Sequence, residues 1–204
     1  MIISIREKNP DQRQIIEIAN LFKSGAIIIV PTDTVYAAAC ILSNQKSIEN
    51  LALKFNKKLK KSNFSIICND LSNMSNYSIP VNNSIFKLMK QVLPGPFTFI
   101  LKANSNVPKI FRENKKTIGL RVPDCEILQK IVEELGEPIV VTSIKSEDEI
   151  TEYFTDPFEI DEIFSDKIDC TIDGGTGGNI PSTIIDCTGN SPEIIREGKG
   201  KIII

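Results

Sequence analysis

Six short stretches of the chain combine residue types that can hold and orient a small anionic substrate. The first is Pro31-Thr32-Asp33-Thr34-Val35-Tyr36, directly after the apolar run Ala26–Val30. Ligands of α/β folds collect at the carboxyl ends of strands, so hydroxyls placed there can orient a polar molecule. An ordinary turn, in which Thr and Asp bond local backbone, uses the same residues. The second stretch is a lysine run, Lys54, Lys57, Lys58, Lys60 and Lys61, ahead of Phe64–Cys68. Such lysines clamp polyphosphate or stay solvated as a plain charged surface. The third is Thr117-Ile-Gly-Leu-Arg121-Val-Pro, where apolar neighbours flank Arg121. A cation in such a strand needs an anionic partner, either a structural carboxylate or the carboxylate or phosphate of a ligand.

Thr142-Ser143 is expected just after a short buried strand, and Pro181-Ser182-Thr183 is expected to open one. Arg196, close to the C-terminus, completes the set. Ahead of Pro181 runs Asp173-Gly-Gly-Thr-Gly-Gly-Asn-Ile180. Glycine lets backbone amides approach an anion closely. This run leads into a strand, however, and matches neither the P-loop nor the dinucleotide fingerprint, which favours a simple flexible turn.

Composition narrows the chemistry further. The 204 residues contain no His, which excludes triads with a His base, His-metal sites and phosphohistidine transfer. Chemistry must run on Lys, Arg, carboxylates, hydroxyls or backbone amides. The five cysteines, Cys40, Cys68, Cys125, Cys170 and Cys187, are scattered without a Cys-x-x-Cys pair. That spacing argues for reduced, mostly buried thiols, and against a disulfide framework or a zinc site. Net charge is only −2, yet the charges are segregated. Residues 50–69 carry the five lysines and no acid, whereas 147–166 carry nine acids and no base. No apolar run approaches the ~20 residues that span a bilayer, and the N-terminus is charged too early for a secretory signal. The expected location is the cytoplasm, with no membrane partner.

The elements that must position these residues follow from period and punctuation. Helices are expected over Asp11–Ser24, Ser43–Phe55, Asn83–Leu93 and Cys125–Leu135, with Asp11 as an N-cap and Gly25, Pro94 and Gly136 as stops. Strands are expected at Ala26–Val30, Phe64–Cys68, Phe97–Leu101, Thr117–Val122, Ile139–Val141, Lys167–Ile172, Ser182–Asp186 and Glu193–Arg196. An acidic loop is expected between the last helix and the closing strands. Helices alternate with strands over two-thirds of the chain and strands cluster at its end, which indicates one α/β domain, 1–204, with a mixed sheet.

Taken in order, Pro31-Thr-Asp-Thr-Val-Tyr36, Pro94-Gly-Pro-Phe-Thr98, Gly119-Leu-Arg-Val-Pro123, Pro181-Ser-Thr-Ile-Ile-Asp186 and Ile195-Arg-Glu-Gly198 resemble the Sua5/YrdC/YciO family. Asn63-Phe-Ser-Ile-Ile-Cys68, Lys115-Lys-Thr-Ile-Gly-Leu-Arg121 and Leu135-Gly-Glu-Pro138 are most similar to its YciO branch. The resemblance implies a YrdC-like twisted mixed β-sheet with flanking helices, enclosing a cationic cavity. It implies threonylcarbamoyl-AMP synthase chemistry, a nucleotidyl transfer that joins L-threonine, bicarbonate and ATP with release of pyrophosphate and feeds the t6A modification of tRNA. By motif position, Thr32, Thr34, Arg121 and Ser182 would bind threonine, and Lys58, Thr117, Ser143 and Arg196 the nucleotide, ATP or AMP. Lys58, Ser143 and Lys145 would carry the transfer, and Lys57, Lys58, Lys60 and Lys61 would meet double-stranded RNA or tRNA. Mg²⁺ would arrive with the triphosphate rather than on a protein-bound metal site.

Two motifs depart from the active branch. Its Lys-x-Arg and Ser-x-Asn pairs align with Asn56-x-Lys58 and Ser143-x-Lys145, and Ala37-Ala38-Ala39 replaces the usual Gly-Leu-Gly. This pattern has two readings: one cation moved across the cavity, from position 56 to Lys145, or Lys145 facing solvent beside the acidic loop. The alternative function is a double-stranded-RNA-binding or nucleotide-sensing, translation-related factor without turnover.

Overall fold

The computed structural model describes residues 1–57, 64–112, 116–145 and 153–203. The first half of the chain runs β1 (Ile2–Ser4), α1 (Gln12–Lys23), β2 (Ile28–Val30), β3 (Ala37–Ile41), α2 (Gln45–Lys54), β4 (Ser65–Ile67), α3 (Leu71–Ser75) and α4 (Asn83–Val92). The second half runs β5 (Phe97–Lys102), α5 (Lys109–Arg112), β6 (Thr117–Arg121), α6 (Glu126–Leu135), β7 (Ile139–Ser143), α7 (Pro157–Phe164), β8 (Cys170–Asp173), β9 (Thr183–Asp186) and β10 (Glu193–Arg196). Helix ends follow local chemistry. The Asp11 carboxylate accepts from the Arg13 amide at the start of α1, and Gly136 closes α6 at φ 71°, a conformation that Gly adopts without steric cost.

The strands form one mixed ten-stranded sheet in the order β1-β8-β2-β3-β7-β4-β6-β5-β9-β10. Alternating side chains divide the core in two. On one face Ile28, Val30, Ala37, Ala39, Ile67, Ile139 and Val141 pack under α1 and α6. On the other, Ala38, Cys40, Ile66, Val140, Leu120 and Phe99 pack with α2 and α4. Burying both faces explains why the central strands read as continuous apolar runs.

The face under α1 and α6 continues onto β4, β6, β5 and β9 without a full cover. Ser65, Thr117, Gly119, Ile100, Ile184 and Asp186 are only partly buried there. This open half of the sheet is the floor on which the predicted site residues stand.

Two expectations need correction, and one strand has no signal in the sequence. Thr142 and Ser143 lie inside β7, paired with Ala38 and Ala37, instead of after it. Ala37–Ile41 is a strand that its alanines, good helix formers, do not announce; pairing on both sides and complete burial override propensity. The expected acidic loop holds α7, whose Asp156 cap and Pro157 at the first turn are helix-start signals.

Candidate functional site

Arg121 ends β6 and is 5% exposed. Its Nη2 donates to Asp33 Oδ1 at 2.8 Å and to Thr34 Oγ1 at 3.1 Å. The other Asp33 oxygen accepts the Asp124 amide at 3.1 Å. Thr32 Oγ1 donates to the Val35 carbonyl at 2.8 Å and accepts the Thr34 amide. Its single proton is therefore committed, so in the 3.0 Å contact between the two hydroxyls Thr34 is the donor. A directed chain thus runs from Arg121 through Thr34 to Thr32, and each bond polarises the next. Arg121 Nε, also buried, has no partner among the described residues. Of the two partners the sequence allows for Arg121, the structural carboxylate is present, as Asp33.

Burial pulls the Arg121 pKa down, Asp33 pulls it back up, and the positive charge of Arg196 adds a smaller downward push. The guanidinium nevertheless stays charged. Arg196, at the end of β10, holds the Ser182 carbonyl through Nε at 3.1 Å and Nη2 at 2.7 Å. The Ser182 hydroxyl in turn lies 2.8 Å from that of Thr98 on β5. Arg121, Arg196 and the ammonium of Lys199, which donates to the Asp33 carbonyl, stand against the Asp33 carboxylate, so these groups carry a positive excess.

The register explains how far the site extends. Val141, Ser65 and Gly119 share a row across β7, β4 and β6. Ser143 and Thr117 each lie two residues beyond that row toward the same edge, so both project from the face that carries Arg121. Thr117 and Arg121 are four residues apart on β6, roughly 13 Å. Gly119 lies between them, where a Cβ would crowd Ser65 Oγ at 3.0 Å and Thr98 Cγ2 at 3.1 Å.

At the Ser143 edge, Lys145 is exposed and its ammonium stands 5.0 Å from the centre of the Tyr153 ring, within cation–π range. Burial pulls the Lys57 ammonium below its ordinary pKa, and the charge of Lys145 acts in the same direction. Lys57 itself is partly buried. Lys58, Lys60 and Lys61, expected for nucleotide and RNA, lie outside the described residues.

Asn56 has a local explanation. It sits at φ 51°, its amide bonds the Leu53 carbonyl, and the Lys57 amide bonds the Ala52 carbonyl. This is the Schellman pattern of a helix end, and Asn tolerates the left-handed conformation it requires. No group of three or more His, Cys, Asp or Glu side chains among the described residues could hold a metal.

Several participants had no sequence signal of their own. In the sequence Asp33 is only one member of a threonine-rich turn, and its ion pair with Arg121 spans 88 residues. Thr98 was only a motif letter, and Lys199, whose ammonium donates to the Asp33 carbonyl at 2.5 Å, was not singled out. The glycine-rich stretch is no free turn: the Tyr36 hydroxyl donates to the Gly175 carbonyl at 2.7 Å and accepts the Gly174 amide at 3.4 Å. Burial raises the pKa of that phenol to about 12.

Comparison with known proteins places these motifs. The Sua5_yciO_yrdC family model, described as "Telomere recombination", matches residues 20–198. The uncharacterized protein YciO of Escherichia coli (strain K12) is 39% identical over 200 residues, covering 97% of this chain and 95% of that protein. Its crystal structure matches with a TM-score of 0.90 at 37% identity, over 98% of this chain and 97% of that one. Threonylcarbamoyl-AMP synthase of Pyrococcus abyssi is 27% identical over 97% of this chain and 57% of its own length. The crystal structure of P. abyssi Sua5 complexed with L-threonine matches with a TM-score of 0.87 at 25% identity, over 97% of this chain and 57% of that one.

Proposed function

The chain belongs to the Sua5/YciO/YrdC family, and on that premise we propose that it binds L-threonine and ATP and joins them, with bicarbonate, into threonylcarbamoyl-AMP. The observation that carries this reading is Arg121, a buried guanidinium with an unpartnered Nε beside a directed row of hydroxyls. The threonine carboxylate would take the free donor face of Arg121, and Ser182 would orient it. The P. abyssi relative bound to L-threonine supports a threonine site in this fold. Thr117 and Ser143, along the same face, would hold the nucleotide, with Arg196 beside Ser182.

The reaction needs little from the protein beyond placement. The threonine nitrogen and bicarbonate form a carbamate with loss of water. A carbamate oxygen then attacks the α-phosphorus, and pyrophosphate leaves with the electron pair of the broken P–O bond. Alignment and charge neutralisation drive such a transfer, without a protein nucleophile or a His. Mg²⁺ belongs to the triphosphate substrate, where it would neutralise phosphate charge. Lys145 and Lys57 would supply cations at the phosphate end, where the active branch of the family uses other positions.

Calorimetric titration of L-threonine tests the carboxylate site. Parent protein should bind it, and Arg121→Ala should weaken binding roughly tenfold to a hundredfold, from the loss of charged hydrogen bonds of about 1.5–3 kcal/mol. Equal binding by both proteins would remove Arg121 from the site.

A further inference from the structure

The glycine-rich segment 174–178 lies against the loop that carries Thr32, Asp33 and Thr34. A Cβ at Gly174 would stand 2.8 Å from the Pro31 ring, one at Gly177 would stand 2.6 Å from the Tyr36 ring, and one at Gly178 would stand 2.2 Å from the Thr34 carbonyl oxygen. Three glycines thus dock on three positions of a six-residue loop. Tyr36 fastens the same contact through its hydroxyl, bonded to both Gly175 and Gly174. From the far side, the Gly177 amide bonds the Thr155 carbonyl at 2.8 Å.

Gly177 and Gly178 do not serve backbone conformation. Within the segment, only Gly175 has a positive φ, 96°, and a Cβ there would meet nothing within 4 Å. The other two are glycine because their backbone lies flush on Tyr36 and Thr34.

We propose that segment 174–178 is a collar that sets the position of the Thr34 hydroxyl on Arg121, with Gly178 and Gly177 as positioning residues and Tyr36 as the latch. A Cβ at Gly178 would have to push Thr34 away by about 1 Å to reach ordinary contact distance. The bond from Arg121 to Thr34 is 3.1 Å long, so a shift of that size breaks it. Misplacement on this scale, remote from the reacting atoms, costs on the order of a hundredfold in rate. The functional half of this proposal rests on the reading that the loop binds an amino acid; the geometric half does not.

Two measurements separate those halves. A crystal structure of Gly178→Ala should show Thr34 Oγ1 beyond 3.5 Å from Arg121 Nη2, and a contact still at 3.1 Å would overturn the collar whatever the ligand. Calorimetric titration should show that Gly178→Ala loses at least tenfold in L-threonine affinity while AMP affinity stays within twofold. Tyr36→Phe, which removes the latch without a steric clash, should lose about threefold for threonine alone, and keeps the test open if Gly178→Ala does not fold. Gly189→Ala, where a Cβ meets only Ser191 O at 3.8 Å, should match the parent for both ligands. Proportional loss of both ligands, with a lowered Tm, would make the segment merely structural. Absence of threonine binding by parent and Gly189→Ala alike, with Thr34 displaced in the crystal, would overturn the amino-acid reading and leave the collar standing.

Discussion

Asp33 and Arg121 stand 2.8 Å apart, although β2 and β6, the strands that lead to them, finish at opposite ends of the strand rows. Val30, the end of β2, shares its row with Ala37 and Ser143. Arg121, the end of β6, shares its row with Ile67 and Ile139. β2 and β6 are four strand-to-strand steps apart. At the usual twist of roughly 20–25° per step, four steps amount to about a right angle. The loop after β2 then meets the far end of β6 across the open face. Sheet twist therefore assembles the site from two segments that neither the chain nor the ladder brings together.

The ion pair is nearly dry, so each partner depends on the other. Removing one member of a buried pair leaves an uncompensated charge and typically costs about 3–5 kcal/mol. Arg121→Ala should lose stability on that scale in urea unfolding, whereas Arg121→Ala combined with Asp33→Ala should recover part of it. Additive losses in the double variant would show that the two residues act independently. This stability effect is compatible with the proposed binding role, because the unpartnered Nε is separate from the Nη2 that holds Asp33.

Asn56 and Lys145 stand where the family resemblance gives the active branch a lysine and an asparagine, and each position can be tested separately. Asn56 closes α2 in a left-handed conformation, so Asn56→Lys should destabilise by about 1–2 kcal/mol and leave ATP affinity unimproved. Lys145→Ala should weaken ATP binding about tenfold, one cation's share of phosphate neutralisation, with threonine affinity unaltered. An unchanged ATP dissociation constant would remove Lys145 from the nucleotide site. Turnover should be low even where binding is good, since ammonium groups are point charges and lack the planar fork that aligns a transferring phosphoryl group.

The thiols give a pH signature. Burial raises Cys40 from 9.0 to about 12 and Cys125, Cys170 and Cys187 to about 11, and pushes Cys68 up as well. Their folded pKa values lie above the unfolded ones, so the stability held by the neutral thiols is complete below about pH 9. It is lost as pH rises through about 11 and 12. The urea midpoint should stay flat from this cause up to pH 9 and fall beyond it. A thiol reagent at pH 8 should modify the folded chain only as fast as it opens. Rapid stoichiometric labelling of the native protein would contradict the burial.

Much of this was legible beforehand. Helix caps at Asp11 and Gly136 and the apolar strands declared the mixed α/β order, and the ordered motifs declared the family. Thr34, Arg121, Ser182 and Arg196 were singled out and do converge. What stayed hidden was set by tertiary pairing. Ala37–Ile41 carries no strand propensity of its own and becomes a strand between β2 and β7. The partnership of Asp33 with Arg121 depends on twist summed over four strands, which no local pattern encodes. The glycines of 174–178 look alike in sequence. Only their distances to Thr34 and Tyr36 distinguish a packing glycine from the conformational one at 175.

The central claim is a reaction, and pyrophosphate release measures it most directly. With ATP, Mg²⁺, L-threonine and bicarbonate present, the purified chain should release pyrophosphate. Omitting either threonine or bicarbonate should abolish the release, and Arg121→Ala should reduce it at least tenfold. Release that is independent of threonine and bicarbonate, or absent at protein concentrations where ATP demonstrably binds, would contradict the synthase account and leave a nucleotide-sensing module in its place.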